Sequence, residues 1–173
     1  MQAANKTGMK LLVNNSWAGD ELSSAGTPGK GLVRAAQLHC DTGVNSGTKP
    51  DIIAAYIGTN DIRSMEGTSK FTQDYTSLIN VLTTEYPDAE IFLFTCLPID
   101  FAQINVDSYN DVIRNLVKNS NNSKLHLVDL YKNTGITTEN QTTYQFDKLH
   151  PNLEGMDKIT DVFVNAMIEA LVY

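Results

Sequence analysis

The sequence predicts an α/β fold with a mainly parallel sheet, and two observations carry this prediction. Ile52–Ile57 and Ile91–Cys96 are continuous apolar runs, which are typical of strands covered on both faces. Leu11–Val13 and Leu125–Leu130 are two further predicted strands. Amphipathic helical patterns alternate with these runs, and this alternation favours parallel strands joined by helices.

Apolar side chains recur at helical spacing in three longer stretches. The predicted helices are Phe71–Tyr86, Val106–Val117 and Leu153–Val172, with a shorter one from Leu32 to Leu38. Asp107 or Ser108 can cap the second of these helices. Residues 1–9 are interpreted as the last turns of a helix that Gly8 ends, and residues 131–146 as a polar loop.

Length and composition predict a single domain spanning residues 1–173, since 173 residues with 42% apolar content can bury one core. The net charge of −7 argues against nucleic acid as a partner, because phosphate binding needs clustered Lys and Arg. No apolar run approaches the roughly 18 residues that a membrane span needs. Residues 1–6 contain no apolar h-region, so we expect no signal peptide there, and the localisation stays open.

The cysteines and two of the histidines are interpreted as structural. Cys40 and Cys96 are far apart and in no metal-ligand spacing, so they are expected to be buried or half-buried thiols. His126 lies inside a predicted strand. His39 lies near a helix end, where a capping or surface role is expected.

The unusual residues collect where the predicted strands end. They are Asn14–Gly19, Gly58–Asp61, Leu97-Pro98 and the stretch from Asp147 to His150. Ligands of parallel sheets bind beyond the carboxyl ends of the strands. This convergence predicts a functional site at that edge of the sheet.

The residue types at this edge suit acyl transfer. His150 can act as a base, and Asp147 can hold its imidazole in the right tautomer. Asn60 can donate hydrogen bonds through its side-chain amide, and Gly19 through an unobstructed backbone N–H. Other interpretations remain open: an Asp-x-x-His spacing arises by chance, and Gly, Asn and Asp also favour turns. A metal site from Asp147, His150 and Asp129 is conceivable, but the spacing specifies no metal, so none is predicted.

Two ordered motifs resemble the SGNH (GDSL-like) hydrolase superfamily. Pro50–Ile53 followed by Ile57–Asp61 resembles its Gly-x-Asn-Asp block, and Asp147–Asn152 resembles its Asp-x-x-His-Pro block. Asn14–Gly19 resembles the family's glycine block. The resemblance covers the chain from Leu11 onward.

The resemblance implies a flavodoxin-like three-layer α/β/α sandwich that hydrolyses esters without a cofactor. It implies that His150 is the base, Asp147 its partner, and Gly19 and Asn60 the oxyanion donors. The implied substrates are small esters, including acylated carbohydrates or lipids.

The sequence departs from the family at its first block, a Gly-Asp-Ser motif that supplies the nucleophile. Nothing before Leu11 matches it, so we expect the fold to lack its first strand. The Leu11–Val13 strand could then pair with Ile52–Ile57, another copy could donate a segment, or the domain could be poorly stable. In the first case Ser16 would approach the position of the nucleophile, although a turn role for Ser16 is the simpler expectation.

Two further expectations follow from the missing block. Exposed strand edges recruit partners, so a homodimer or larger assembly is expected. The alternative to an esterase is a non-catalytic binding or assembly module that keeps the pocket without turnover. An unrelated flavodoxin-like ligand binder is a third interpretation, in which Asp147 and His150 do not meet Asn60 in one cleft.

Overall fold

Strands and helices alternate along the chain in a computed structural model that describes residues 2–14, 16, 18–22, 47–64, 67–100 and 104–172. The strands are β1 (Ile52–Ala55), β2 (Glu90–Phe94) and β3 (Leu125–Val128). The helices are α1 (Gln2–Thr7), α2 (Thr59–Arg63), α3 (Gly67–Glu85), α4 (Val106–Lys118), α5 (Leu130–Asn133), α6 (Gln141–Tyr144) and α7 (Leu153–Val172). The predicted α/β class is therefore confirmed.

The described strands form one parallel sheet in the order β1-β2-β3. Side chains alternate across its central strand, so Ile91 and Leu93 join one apolar cluster while Phe92 and Phe94 join the other. Helices α3 and α4 supply the first cluster, and α7 supplies much of the second. The architecture is the three-layer α/β/α sandwich that the resemblance implied.

The three longer predicted helices form with small shifts at their ends. Helix α7 has the predicted bounds, and α4 extends one residue beyond its predicted end. The cap of α4 is Asn105, whose side-chain oxygen accepts from the Ser108 N–H at 3.3 Å, so Asp107 and Ser108 were the wrong candidates. Gly8 follows α1 with φ of 72°, the left-handed conformation of a residue that ends a helix.

The prediction of a strand at Leu11–Val13 is wrong. These residues adopt no strand conformation and do not pair with β1. Three residues offer too few ladder hydrogen bonds to offset the cost of ordering them, and Leu11 is left 45% exposed. The hypothesis that Ser16 replaces the nucleophile required this pairing, and it loses its basis because the pairing does not form. The Ser16 N–H instead bonds the Asn14 side chain at 3.1 Å, which is a turn.

The prediction of a continuous polar loop over residues 131–146 is also wrong, because it contains α5 and α6. The Asp129 carboxylate caps α5 by accepting from the Lys132 N–H at 3.2 Å. Such a cap satisfies backbone N–H groups at the start of a helix. It can stabilise a short helix that the hydropathy pattern does not predict. The predicted helix Leu32–Leu38, together with His39 and Cys40, lies outside the described residues.

Strand β1 is an edge strand of the described sheet. Its residue Ala54 is exposed, and Tyr56 just beyond it keeps 41% of its surface in contact with solvent. Within the part of the chain that the structure describes, no helix is long and apolar enough to cross a bilayer.

A tight junction between α6 and α7 fixes both ends of the segment that carries Asp147 and His150. The Asn152 N–H donates to the Tyr144 carbonyl at 2.9 Å, and the Asn152 side chain donates to the Thr143 carbonyl at 2.7 Å. The same side chain accepts from the Gly155 N–H at 3.0 Å, as a helix cap does. A Cβ at Gly155 would lie 2.2 Å from the Tyr144 oxygen.

We expect Gly155→Ala to lower the free energy of unfolding by about 1–3 kcal/mol, since backbone must move to relieve the overlap. Urea denaturation followed by circular dichroism measures the change. Glu154→Ala, at the exposed neighbouring position of the same helical turn, is the control. A Gly155→Ala variant as stable as wild type would contradict the close approach, because alanine is otherwise favoured over glycine in a helix.

Candidate active site

Asp147 and His150 form a direct pair before α7. The His150 Nδ1 lies 2.7 Å from Asp147 Oδ2. Because an ionised carboxylate only accepts hydrogen bonds, Nδ1 carries the proton in the neutral ring and Nε2 keeps its lone pair. Within the described residues Nε2 makes no hydrogen bond, and 71% of the His150 side chain is exposed. The ring can therefore take a proton from a group that approaches Nε2.

The segment around this pair is a closed turn. Its neck is an antiparallel bridge between Gln145 and Pro151, and the Phe146 N–H donates to the His150 carbonyl at 2.9 Å. Lys148 has φ of 61°, a left-handed conformation that L-residues rarely adopt. That sharp reversal brings the His150 N–H back onto Asp147 Oδ1 at 2.7 Å.

These contacts lower the pKa of Asp147 to about 2. The largest cause is the backbone N–H of His150, and the second is the His150 ring. Hydrogen bonds of this kind stabilise the ionised form of a carboxyl group. Asp147 is therefore a carboxylate at neutral pH and can stabilise a protonated His150.

Two contacts attach this turn to the segment after β2. The Gln145 side-chain amide donates to the Pro98 carbonyl at 3.2 Å. Lys148 pairs with Asp100 at the surface. Since Pro98 is buried, the first contact ties the turn to the interior at the carboxyl end of the central strand.

Asn60 lies in α2, directly beyond the carboxyl end of β1. Gly58 starts that helix with φ of 121°, and a Cβ there would lie 2.9 Å from the Phe71 ring, so only glycine fits. The Asn60 side chain donates to the Asp20 carbonyl at 2.9 Å. The amide has a second N–H, for which the described residues provide no acceptor.

Gly19 is exposed, precedes Asp20, and has φ of 73°. The hydrogen bond between Asn60 and Asp20 therefore brings Gly19 and Asn60 into the same neighbourhood. A second contact supports this arrangement, because Asp61 accepts from the Leu22 N–H at 2.9 Å. The glycine segment is thus attached to α2 from two consecutive residues.

The pair Asp147 and His150 and the pair Gly19 and Asn60 both lie at the carboxyl edge of the sheet. Asn60 follows β1, and the turn with His150 is attached to Pro98, which follows β2. The Thr59 hydroxyl lies 3.6 Å from the Cys96 sulfur, which joins the segments after β1 and β2. Among the described residues no hydrogen bond links Asn60 to His150. The two residues therefore share the carboxyl edge of the sheet without a direct contact.

Asp129 belongs to a different set of contacts. Arg114 Nε donates to its carboxylate at 2.7 Å, and Arg114 Nη2 donates at 3.1 Å. Burial is the largest single effect on the pKa of Asp129 and raises it. The hydrogen bonds and charge of Arg114 are the largest effects that oppose burial, and the net result is a lowered pKa. The described residues contain no group of three or more His, Cys, Asp or Glu side chains arranged to hold a metal.

Two other side chains could be mistaken for reactive groups. Cys96 is fully buried, and burial raises the pKa of its thiol to about 12, so it is not a thiolate nucleophile at neutral pH. His126 stacks on Phe92 with ring centroids 4.8 Å apart and bonds Glu90 at 2.6 Å. The structural role expected for His126 is confirmed.

Sequence reasoning missed Gln145 and Asn110. Both are buried and polar, at 1% and 0% exposure, and both bond backbone carbonyls of the segment after β2. Nothing in the local pattern distinguishes Asn110 from polar residues on the solvent-facing side of a helix, or Gln145 from the residues of a polar loop. Only the position of Gln145 directly before the Asp147 motif could have drawn attention to it.

We expect the Asp147 carboxyl to titrate near pH 2, which carboxyl carbon-13 shifts can measure. Since the folded pKa lies below the ordinary aspartate pKa of 3.8, the stabilisation is complete above about pH 4 and is lost as pH falls towards 2. In His150→Ala the pKa should rise only in part, because the backbone N–H of residue 150 remains. A full return of the Asp147 pKa to the ordinary value of 3.8 in that variant would contradict the dominance of the backbone hydrogen bond.

The chain resembles several solved structures of known fold. It aligns with a family two carbohydrate esterase from Clostridium thermocellum at a TM-score of 0.72 and 20% identity, covering 99% of this chain and 53% of that one. A Lactobacillus plantarum protein aligns at a TM-score of 0.78 and 17% identity, covering 97% and 85%. A family 3 carbohydrate esterase from Talaromyces cellulolyticus aligns at 0.61 and 22% identity, covering 70% and 59%.

These likenesses establish a shared fold. The chain spans a little over half of the length of either carbohydrate esterase, at 53% and 59%. No curated protein matches the chain significantly. The model of the GDSL-like lipase/acylhydrolase family matches residues 2–158, and the chain therefore belongs to that family.

Proposed function

We propose that this chain is an ester hydrolase of the serine-histidine-aspartate type, formed by a single domain spanning residues 1–173. The observation that carries the proposal is the 2.7 Å bond from His150 Nδ1 to Asp147. It leaves Nε2 exposed as a proton acceptor beside the carboxyl edge of the sheet. Membership of a family of lipases and acylhydrolases supports the same reaction.

In the proposed reaction His150 Nε2 removes the proton from a serine hydroxyl as the serine oxygen bonds to the ester carbon. Asp147 stabilises the imidazolium that forms. The Asn60 amide and the Gly19 N–H donate to the oxygen that becomes negative. His150 then returns the proton to the alcohol that leaves, and water releases the acyl group by the same steps in reverse.

The proposed substrates are small esters, with acylated carbohydrates and lipids as the classes to be compared. The likeness to two families of carbohydrate esterases supports the first class. Phe146, next to Asp147, is 80% exposed, and an exposed aromatic ring beside the pair suits a sugar face or an acyl chain. We assign no cofactor, no metal, no nucleic-acid partner and no membrane partner.

We also propose that the chain forms a homodimer or a larger assembly. The unpaired edge of β1 within the described sheet supports this, because exposed strand edges recruit further strands. The oligomeric state in solution tests this part independently of catalysis.

The alternative is a binding or assembly module that keeps the pocket without turnover. A specific observation favours it: within the described residues no serine hydroxyl bonds His150. The sequence contains no Gly-Asp-Ser motif that would identify the attacking serine.

We expect the chain to hydrolyse a small acetyl ester. His150→Ala and Asp147→Asn should each lower kcat/KM by roughly 10³–10⁴-fold, because the first removes the base and the second presents the wrong tautomer. Release of p-nitrophenol from its acetate measures the rate, and a set of acetylated sugars and lipid esters then compares the substrate classes.

Asp157→Asn, the same exchange at an exposed position of α7, is the control and should retain wild-type activity. A folded wild-type chain without turnover would contradict the esterase and favour the binding module. Turnover that survives His150→Ala would contradict the assigned base.

A further inference from the structure

We propose that Gln145 is a positioning residue for His150, acting through the backbone of Leu149. This inference rests on the proposed role of His150 as the base. The Gln145 side chain fixes the orientation of the turn in which His150 and Asp147 form their hydrogen bond at the carboxyl edge of the sheet.

The side-chain amide of Gln145 uses both of its N–H groups. It donates to the Pro98 carbonyl at 3.2 Å and to the Leu149 carbonyl at 3.3 Å. Only 1% of Gln145 is exposed, so water does not compete for these bonds. A buried amide that bridges two backbone carbonyls fixes their relative position.

The peptide unit between Leu149 and His150 is held from both sides. Its carbonyl accepts from Gln145, and its N–H donates to Asp147 Oδ1 at 2.7 Å. Since a peptide unit is planar and rigid, these two bonds set the direction in which the His150 side chain leaves the backbone. Asp147 alone would leave that plane free to tilt.

The other end of the bridge connects the turn to the centre of the fold. Pro98 belongs to the buried segment that continues β2, the central strand of the described sheet. Lys148 and Asp100 also join the two segments, but they do so at the surface, with 49% and 50% of their side chains exposed. Exposed ion pairs contribute little, so the amide of Gln145 carries most of the attachment.

The chain offers a matched comparison at Gln141. It lies one helical turn before Gln145, has the same 1% exposure, and begins α6. Its side-chain atoms make no hydrogen bond within the described residues. Replacing it removes an equally buried amide without breaking a hydrogen bond of the turn that carries His150.

The experiment compares Gln145→Met with Gln141→Met in the full chain, and uses Gln145→Asn as a second variant that keeps an amide but cannot reach both carbonyls. The first readout is the pKa of Asp147 by carboxyl carbon-13 titration, together with the share of the neutral His150 ring protonated at Nδ1, from ring nitrogen-15 shifts. These quantities do not depend on turnover. The second readout is the separation of kcat from KM on the acetyl ester.

In both Gln145 variants the Asp147 pKa should rise from about 2 towards 3.8, and the Nδ1-protonated share should fall. The value of kcat should drop by about 10–100-fold with KM within about 2-fold, as small misplacement of a catalytic group does. Gln141→Met should leave every readout at the wild-type value.

Gln145 variants that lose stability but keep the wild-type Asp147 pKa and His150 tautomer would overturn the proposal and leave a purely structural residue. Equal effects of Gln145→Met and Gln141→Met on those readouts would overturn it as well. If the wild-type chain shows no turnover, the proposed function fails, while the titration still decides whether Gln145 orients His150.

Discussion

The structure depends on one buried segment, Thr95–Pro98, which continues the central strand beyond the sheet. The segments that follow β1 and β3, and the turn that carries His150, are attached to it by polar contacts. The Thr95 hydroxyl donates to Asp129 and accepts from the Tyr131 N–H, both at 3.0 Å. The Thr59 hydroxyl donates to the Cys96 sulfur, and the Gln145 side-chain amide donates to the Pro98 carbonyl. The carboxyl edge is thus organised around its middle strand.

The segment is itself held by α4. Asn110 accepts from the Cys96 N–H at 2.8 Å and donates to the Cys96 carbonyl at 3.0 Å. Backbone that has left a sheet and stays buried needs partners for its donors and acceptors. Asn110 supplies both for one residue, which lets the chain remain buried where the site loops attach.

The sequence allowed prediction of the features that depend on periodicity and on local chemistry. Apolar runs predicted β1, β2 and β3, and helical spacing predicted α3, α4 and α7 to within a few residues. The Asp147 and His150 pairing also followed from the sequence, because a three-residue spacing before a proline closes a turn within one stretch of chain.

Features that depend on distant partners were not predictable in the same way. Leu11–Val13 has strand composition but forms no strand. Composition could not predict this, because it does not reveal whether a neighbouring strand edge is available for pairing. From the sequence, Asn110 looks like a surface residue of a helix and Gln145 like a residue of a polar loop. Their roles appear only when the carbonyls of residues 96 and 98 are placed beside them. The relation of Asn60 to His150 is likewise a matter of topology, since 90 residues separate them.

In the proposed reaction Asn60 and His150 face one ligand. Titration of the full chain with acetate, the acyl product of an acetyl ester, tests it directly by nitrogen-15 shifts of the Asn60 side-chain amide and the His150 ring. One cleft predicts that both signals move with the same dissociation constant and that Asn60→Ala weakens the response at His150. Signals that move with different constants, or a response at only one residue, would contradict a shared site.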